Sequence, residues 1–139
     1  MTTELTRLDR DECLTRVAQA VVGRVAVIDG ATPVILPVNF ALDGEAVVFR
    51  TDPGLKLSAG PRSPASFEVD DIDPKTRSGW SVVMTGHLEE VTRYDARTWK
   101  RVMAMPIDPW AGGEKAHWMR LVPTRITGRE VRRRPDSVE

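Results

Sequence analysis

Phe49-Arg50-Thr51-Asp52-Pro53-Gly54-Leu55-Lys56-Leu57 is the stretch on which the reading of this chain turns. A β-rich run ends on a cation and a hydroxyl, bends at Pro-Gly, and presents a lysine where a short helix is expected from Gly54 to about Gly60. Fixed cationic donors, a hydroxyl and backbone N–H groups at a helix start are what a phosphate group needs. Working outward, Pro33 to Ala41 reads as the neighbouring strand, joined through Asp43-Gly44 to the strand Ala46–Thr51. Side chains alternate along a strand, so Val47, Phe49 and Thr51 point one way and Ala46, Val48 and Arg50 the other. Arg50 and Thr51 therefore converge on one anion only where the chain leaves the pleat. Two paired strands beside such a turn suit a ligand with an anionic tail and a flat apolar head, as in a flavin-type cofactor.

Upstream, Asp9 is placed to cap a helix, with Glu12 as its partner three residues on. Leu14, Val17, Ala18 and Val21 give that helix an apolar face, and Gly23 is expected to end it. Arg24 to Ile28 is a strand closed by Asp29-Gly30, a strong hairpin signal, so the first three strands form a meander. Downstream, Pro64 to Asp70 reads as a strand, Asp70 to Ser78 as a loop, and Gly79 to Val91 as a long strand. Gly86 within it suggests a bulge or corner. A helix from Tyr94 to about Met103 carries Tyr94, Thr98 and Val102 on one stripe. Trp110 lies in a loop, and His117 to Val131 is the last strand, expected to break near Pro123. The sum is a single domain over residues 1–139, mainly β with short α-helices: a small six-stranded antiparallel split β-barrel. Residues 1–7 and 132–139 are expected to fray.

Composition narrows the function classes. The chain has 139 residues, 41% hydrophobic and 29% charged, with 20 basic and 20 acidic side chains. No global field draws it to nucleic acid or an anionic membrane. Cys13 is the only cysteine, which excludes a disulfide framework and a cysteine-rich zinc site, and its place in the first helix points to packing. No long apolar run and no apolar leader are present, so a cytoplasmic, reducing setting is expected. His87 and His117 have no metal-ligand partners at the usual spacing, and Asp70-Asp71-x-Asp73 lacks the glycine and glutamate of a calcium loop. No metal is expected. Nucleophile elbows, Walker lysines and zincin pairs are absent. With no acid–base or nucleophile constellation, no catalytic residue is assigned, and any chemistry falls to a cofactor.

The ordered set Gly23-Arg24-Val25, Pro37-Val38-Asn39-Phe40, Phe49-Arg50-Thr51 with Gly54-x-Lys56, Phe67-Glu68-Val69, Gly79-Trp80-Ser81, Gly86 and Arg120 to Ile126 resembles the pyridoxamine 5′-phosphate oxidase-like, FMN-binding split-barrel family. The likeness spans about Leu8 to Val131 and looks closest to its actinobacterial flavin and deazaflavin (F420) oxidoreductase branch. It implies that Lys56 binds the phosphate, with Arg50 and Thr51 beside it. Pro37, Val38 and Asn39 would run along the flavin ring, and Trp80 and Ser81 would lie near it. Family members are usually homodimers with cofactor sites at the interface, so Trp110 and Arg129 would approach the partner's cofactor. Trp80 and Trp110 also suit plain packing or a dimer interface. One departure is Ile126-Thr127-Gly128-Arg129, where pyridoxamine phosphate oxidases carry an acidic-aromatic segment. Oxidation of pyridoxamine phosphate is therefore not expected, and Arg129 is free to meet an anionic part of a cofactor or substrate. The expectation is an FMN-dependent oxidoreductase acting on a small molecule. One alternative is an F420-dependent reductase using Arg24, Arg62 and Arg129 for the longer anionic tail. Another is a flavin- or haem-binding carrier or sensor.

Overall fold

The computed structural model describes residues 1–51, 63–110 and 117–135. The expected helix from Gly54 to Gly60, with Lys56 and Arg62, lies outside the described residues. The elements run β1 (Thr2–Leu8), α1 (Arg10–Gln19), β2 (Val22–Asp29), β3 (Thr32–Asp43), β4 (Ala46–Thr51), β5 (Ser63–Asp73), β6 (Ser78–Glu90), α2 (Ala96–Met103) and β7 (His117–Arg134). All pairings are antiparallel in one seven-stranded sheet of order β1-β7-β4-β3-β2-β5-β6, and a further β6–β7 ladder closes it. Six strands thus form the barrel, as the sequence pattern requires, and β1 is added outside the ring. β7 makes this possible by its length. One edge pairs with β6, while the other pairs with β4 over residues 117–121 and with β1 over residues 128–134.

The tight turns follow from glycine. Gly30 and Gly44 sit at φ 63 and 62 in two-residue loops, between Asp29 opposite Thr32 and Asp43 opposite Ala46. Gly86 marks a bulge as expected, although the extra residue lies on the partner strand: Thr85 pairs with Arg125 and Gly86 with Pro123, which leaves Thr124 over. A Cβ on Gly86 would stand 1.9 Å from the Val122 carbonyl oxygen, so no other residue permits this approach. β7 consequently bends at Pro123 without breaking.

Several boundaries correct the sequence reading. Thr2–Leu8 does not fray: it pairs with Gly128–Arg134, a contact between chain ends that no local pattern announces. Asp9 does cap α1, accepting from the Glu12 N–H at 2.9 Å. The helix nevertheless ends at Gln19, and Gly23 belongs to β2, where the Phe67 ring fills the space of its missing side chain. Ala18 and Val21 are exposed, and the buried face of α1 is Cys13 and Val17. Asp70–Ser78 is mostly strand, with only 74–77 turning. Tyr94 is fully exposed, because Asp95 caps α2 after it.

The barrel interior holds Val25, Phe67, Met84, Leu121 and Phe49, with Phe40 edge-on to Phe67 at 4.8 Å. A second cluster, Val48, Val91, Val102 and Ile107, lies under α2. β4 is therefore buried on both faces, which explains its unbroken apolar run.

Candidate functional site

Two groups of the expected site residues emerge, at opposite ends of β7. The first gathers at the β3–β4 corner. Asn39 is half-buried and satisfied twice: its Nδ2 donates to the Val21 carbonyl at 3.2 Å and its Oδ1 accepts from the Trp110 N–H at 2.8 Å. That bond fixes the backbone beneath an indole that is 74% exposed. Arg50 stands opposite Trp118 in the β4–β7 ladder, its guanidinium 4.9 Å from the ring centroid, and its Nη1 reaches the Ile107 carbonyl at 3.4 Å. Thr51 ends β4 opposite His117. His117 does have a carboxylate, Glu90 at 2.7 Å, contributed by β6 rather than by its own neighbourhood in sequence.

The corner is braced from below. Asp43, buried at the β3–β4 turn, accepts from Arg101 at 2.9 and 3.0 Å and from Arg120 at 3.0 Å, and Arg120 also reaches Glu89 at 3.0 Å. The Arg101 bond, with help from Arg120 and against the cost of burial, holds the Asp43 carboxyl below its ordinary pKa. This clamp ties α2 to the barrel, and the segment after α2 carries Ile107 and Trp110 to Arg50 and Asn39. Sequence reasoning missed Asp43, Arg101, Ile107 and Trp118, because each acts through a partner distant in the chain.

The second group lies on the outer face of β5, β6 and β7. Ser81 pairs with Arg129 and faces outward, beside a groove floored by Ile72, Gly79 and Val131. Trp80 points to the opposite face from Ser81, packing at the edge of the core with the Arg16 guanidinium 5.6 Å from its ring. The two cannot present their side chains to a ligand from one surface. Pro37 is exposed on this same outer face, in a row that runs Pro37, Arg24, Glu68, Val83, Thr127 across five strands. Val38 faces inward against the core, so only its backbone is open to a ligand. Arg24 is tied to Glu68 at 2.8 Å and Asp70 at 3.4 Å. Burial, then the adjacent Asp70 carboxyl, lifts Glu68 to about 7 against the pull of Arg24. Cys13 is buried, and that burial pushes its thiol up, as expected for a packing residue. Trp118 and Arg129 are separated by about 36 Å of chain along β7 at ~3.3 Å per residue. Within one chain Pro37 stays beside Asn39 on the outer face of β3, whereas Ser81 and Arg129 lie three and four strands away.

Comparison with known proteins agrees with this frame. The family model described as pyridoxamine 5′-phosphate oxidase matches residues 9–130. The chain belongs to that family. An uncharacterised protein of Mycobacterium tuberculosis is 35% identical over 131 residues, covering 90% of this chain and 84% of its own. Among solved structures, the FAD-binding protein from Mycobacterium smegmatis superposes with a TM-score of 0.75 at 35% identity, over 90% of this chain and 98% of its own. A conserved protein of unknown function from Corynebacterium diphtheriae matches at 0.74 and 32%, over 90% and 96%. Among the described residues no cluster of metal-ligating side chains occurs, and no helix is long and apolar enough to cross a membrane.

Proposed function

We propose that this family member binds a flavin and acts as a flavin-dependent oxidoreductase on a small molecule, as a homodimer in the cytoplasm. The observation carrying the flavin is the 35% identity, across 90% of the chain, to the mycobacterial FAD-binding protein. The β3–β4 corner fits such a group: a cation held in place by Ile107 and Trp118, a hydroxyl at the strand end, and an exposed indole on a tethered backbone. Arg50, Thr51 and Lys56 would hold the phosphate, and the Pro37–Asn39 backbone would flank the ring with Trp110 over it. A bound flavin would supply the redox chemistry by taking up or delivering hydride. The protein's share is to orient it, exclude water, and place cations near the charge of the reduced ring. In a homodimer the Ser81–Arg129 face of one subunit can approach the corner of the other, which one chain alone does not allow.

FMN is the preferred form, since the sequence offers Arg50, Thr51 and Lys56 to one phosphate; FAD is the competitor suggested by the relative. F420 is less favoured because Arg24, one of the cations suited to its tail, is already engaged by Glu68 and Asp70. Replacing Lys56 with alanine should weaken flavin binding about tenfold or more, the worth of one charge-assisted contact. Unchanged affinity in a folded variant would contradict the assignment. Tight flavin binding without turnover on any donor–acceptor pair would make the protein a carrier instead.

A further inference from the structure

Glu68 is the middle residue of the outward row Pro37, Arg24, Glu68, Val83, Thr127, with two strands on either side of β5. Asp70 follows it on the same face, and the two carboxylates share one cation: Arg24 lies 2.8 Å from Glu68 and 3.4 Å from Asp70. β6 brings them no charge, since Val83 stands opposite Glu68 and Ser81 opposite Asp70. Arg125 and Arg129 belong to β7, two strands and about 10 Å from β5 at ~4.8 Å per strand. Two half-buried carboxylates against one guanidinium leave a negative charge in excess at the centre of this face. Ile35, Ile72 and Val83 are exposed around it, as on a surface that associates.

In the proposed homodimer, on which this inference rests, the Arg129 face of one subunit approaches the Pro37–Asn39 strand of the other. β3 and β7 are each two strands from β5, so a two-fold axis that sets β7 across from the partner's β3 runs along β5. Positions on such an axis meet their own copies. Glu68 and Asp70 then face the partner's Glu68 and Asp70, and four carboxylates share the two Arg24 guanidinium groups. One proton per subunit cancels that excess. Burial, then the Asp70 carboxyl, already lifts Glu68 to about 7, which makes it the group that takes the proton. We propose that this face is a homodimer interface whose closure takes up a proton at the Glu68–Asp70 pair of each subunit, so that association strengthens as pH falls. With Glu68 ionised, closure must either protonate it or bury like charges together; with Glu68 protonated, the interface closes neutral.

The test is sedimentation equilibrium of the full chain, without added flavin and at constant ionic strength, at about pH 6 and about pH 8.5. The dimer dissociation constant should rise about tenfold or more between the two, because each linked proton contributes up to about tenfold per pH unit above its pKa. A dimer too tight to dilute apart is followed instead by exchange of labelled subunits, which should be faster at the higher pH. Glu68→Gln should make the dimer as tight at the higher pH as the parent is at the lower one. Asp70→Asn should also flatten the profile, because Arg24 then balances Glu68 alone. A parent dimer equally tight at both pH values, or tighter at the higher one, would overturn the inference and leave the homodimer standing. A monomer at every pH would overturn the homodimer as well.

Discussion

The β3–β4 corner and the β1–β6–β7 outer face are built from the same kinds of residue and settle them in opposite ways. At the corner every polar group discussed has an internal partner: Asp43 holds two arginines, Asn39 bonds to two backbone groups, and Arg50 is braced by Ile107 and Trp118. On the outer face Arg7 and Arg129 stand opposite each other, and among the described residues neither is in an ion pair. Groups satisfied inside the fold fix geometry, whereas the exposed arginines are left to solvent.

The seam joining these regions should be the least forgiving place to disturb. Gly86→Ala puts a Cβ 1.9 Å from the Val122 carbonyl oxygen and 2.8 Å from its carbon, and both obstacles are backbone. A loss of about 3 kcal/mol or more is expected in urea unfolding, since the β6–β7 ladder must shift. Asp43→Ala comes next, at about 2–3 kcal/mol, because it leaves the half-buried Arg120 with Glu89 alone and frees α2. Its carboxyl pKa is depressed in the fold, so its contribution is complete above the ordinary carboxylate range near ~4 and is lost as pH falls below it. Asp43→Asn should therefore flatten the acid limb of the stability profile. Asn39→Ala should cost about 1–2 kcal/mol and release Trp110, seen as greater access of its indole to a soluble quencher.

Glu68 gives the smallest effect and the opposite pH sense. Its pKa is raised to about 7 in the fold, so stability is highest below the unfolded value and declines as pH climbs toward 7. Glu68→Gln should leave stability at pH 5 nearly unchanged and increase it modestly at pH 8. A loss at pH 8 would mean that the Arg24 ion pair outweighs burial and Asp70.

Local sequence carried the fold well. Alternation and the Asp-Gly turns placed the six barrel strands, and Gly86 marked the corner, because these signals act over a few residues. β1 escaped because its partner lies at the far end of the chain, and its exposed polar side chains mimic a tail. The members of the candidate site stand out in the sequence, but their grouping in space does not. Arg50 and Asn39 stood out by position, yet Trp118, Ile107 and Asp43 become visible only once β4 pairs with β7 and α2 folds back. The resemblance puts Trp80 and Ser81 together near the flavin, and the pleat sends their side chains to opposite faces.

The central claim is that this chain holds a flavin. The measurement that reaches it most directly is the absorbance spectrum of the purified protein before and after denaturation, followed by titration with FMN and FAD. Release of a flavin, or saturable binding of FMN or FAD at one site per subunit, is the expected result. A folded, colourless protein that binds neither would contradict the claim and leave the corner as architecture alone.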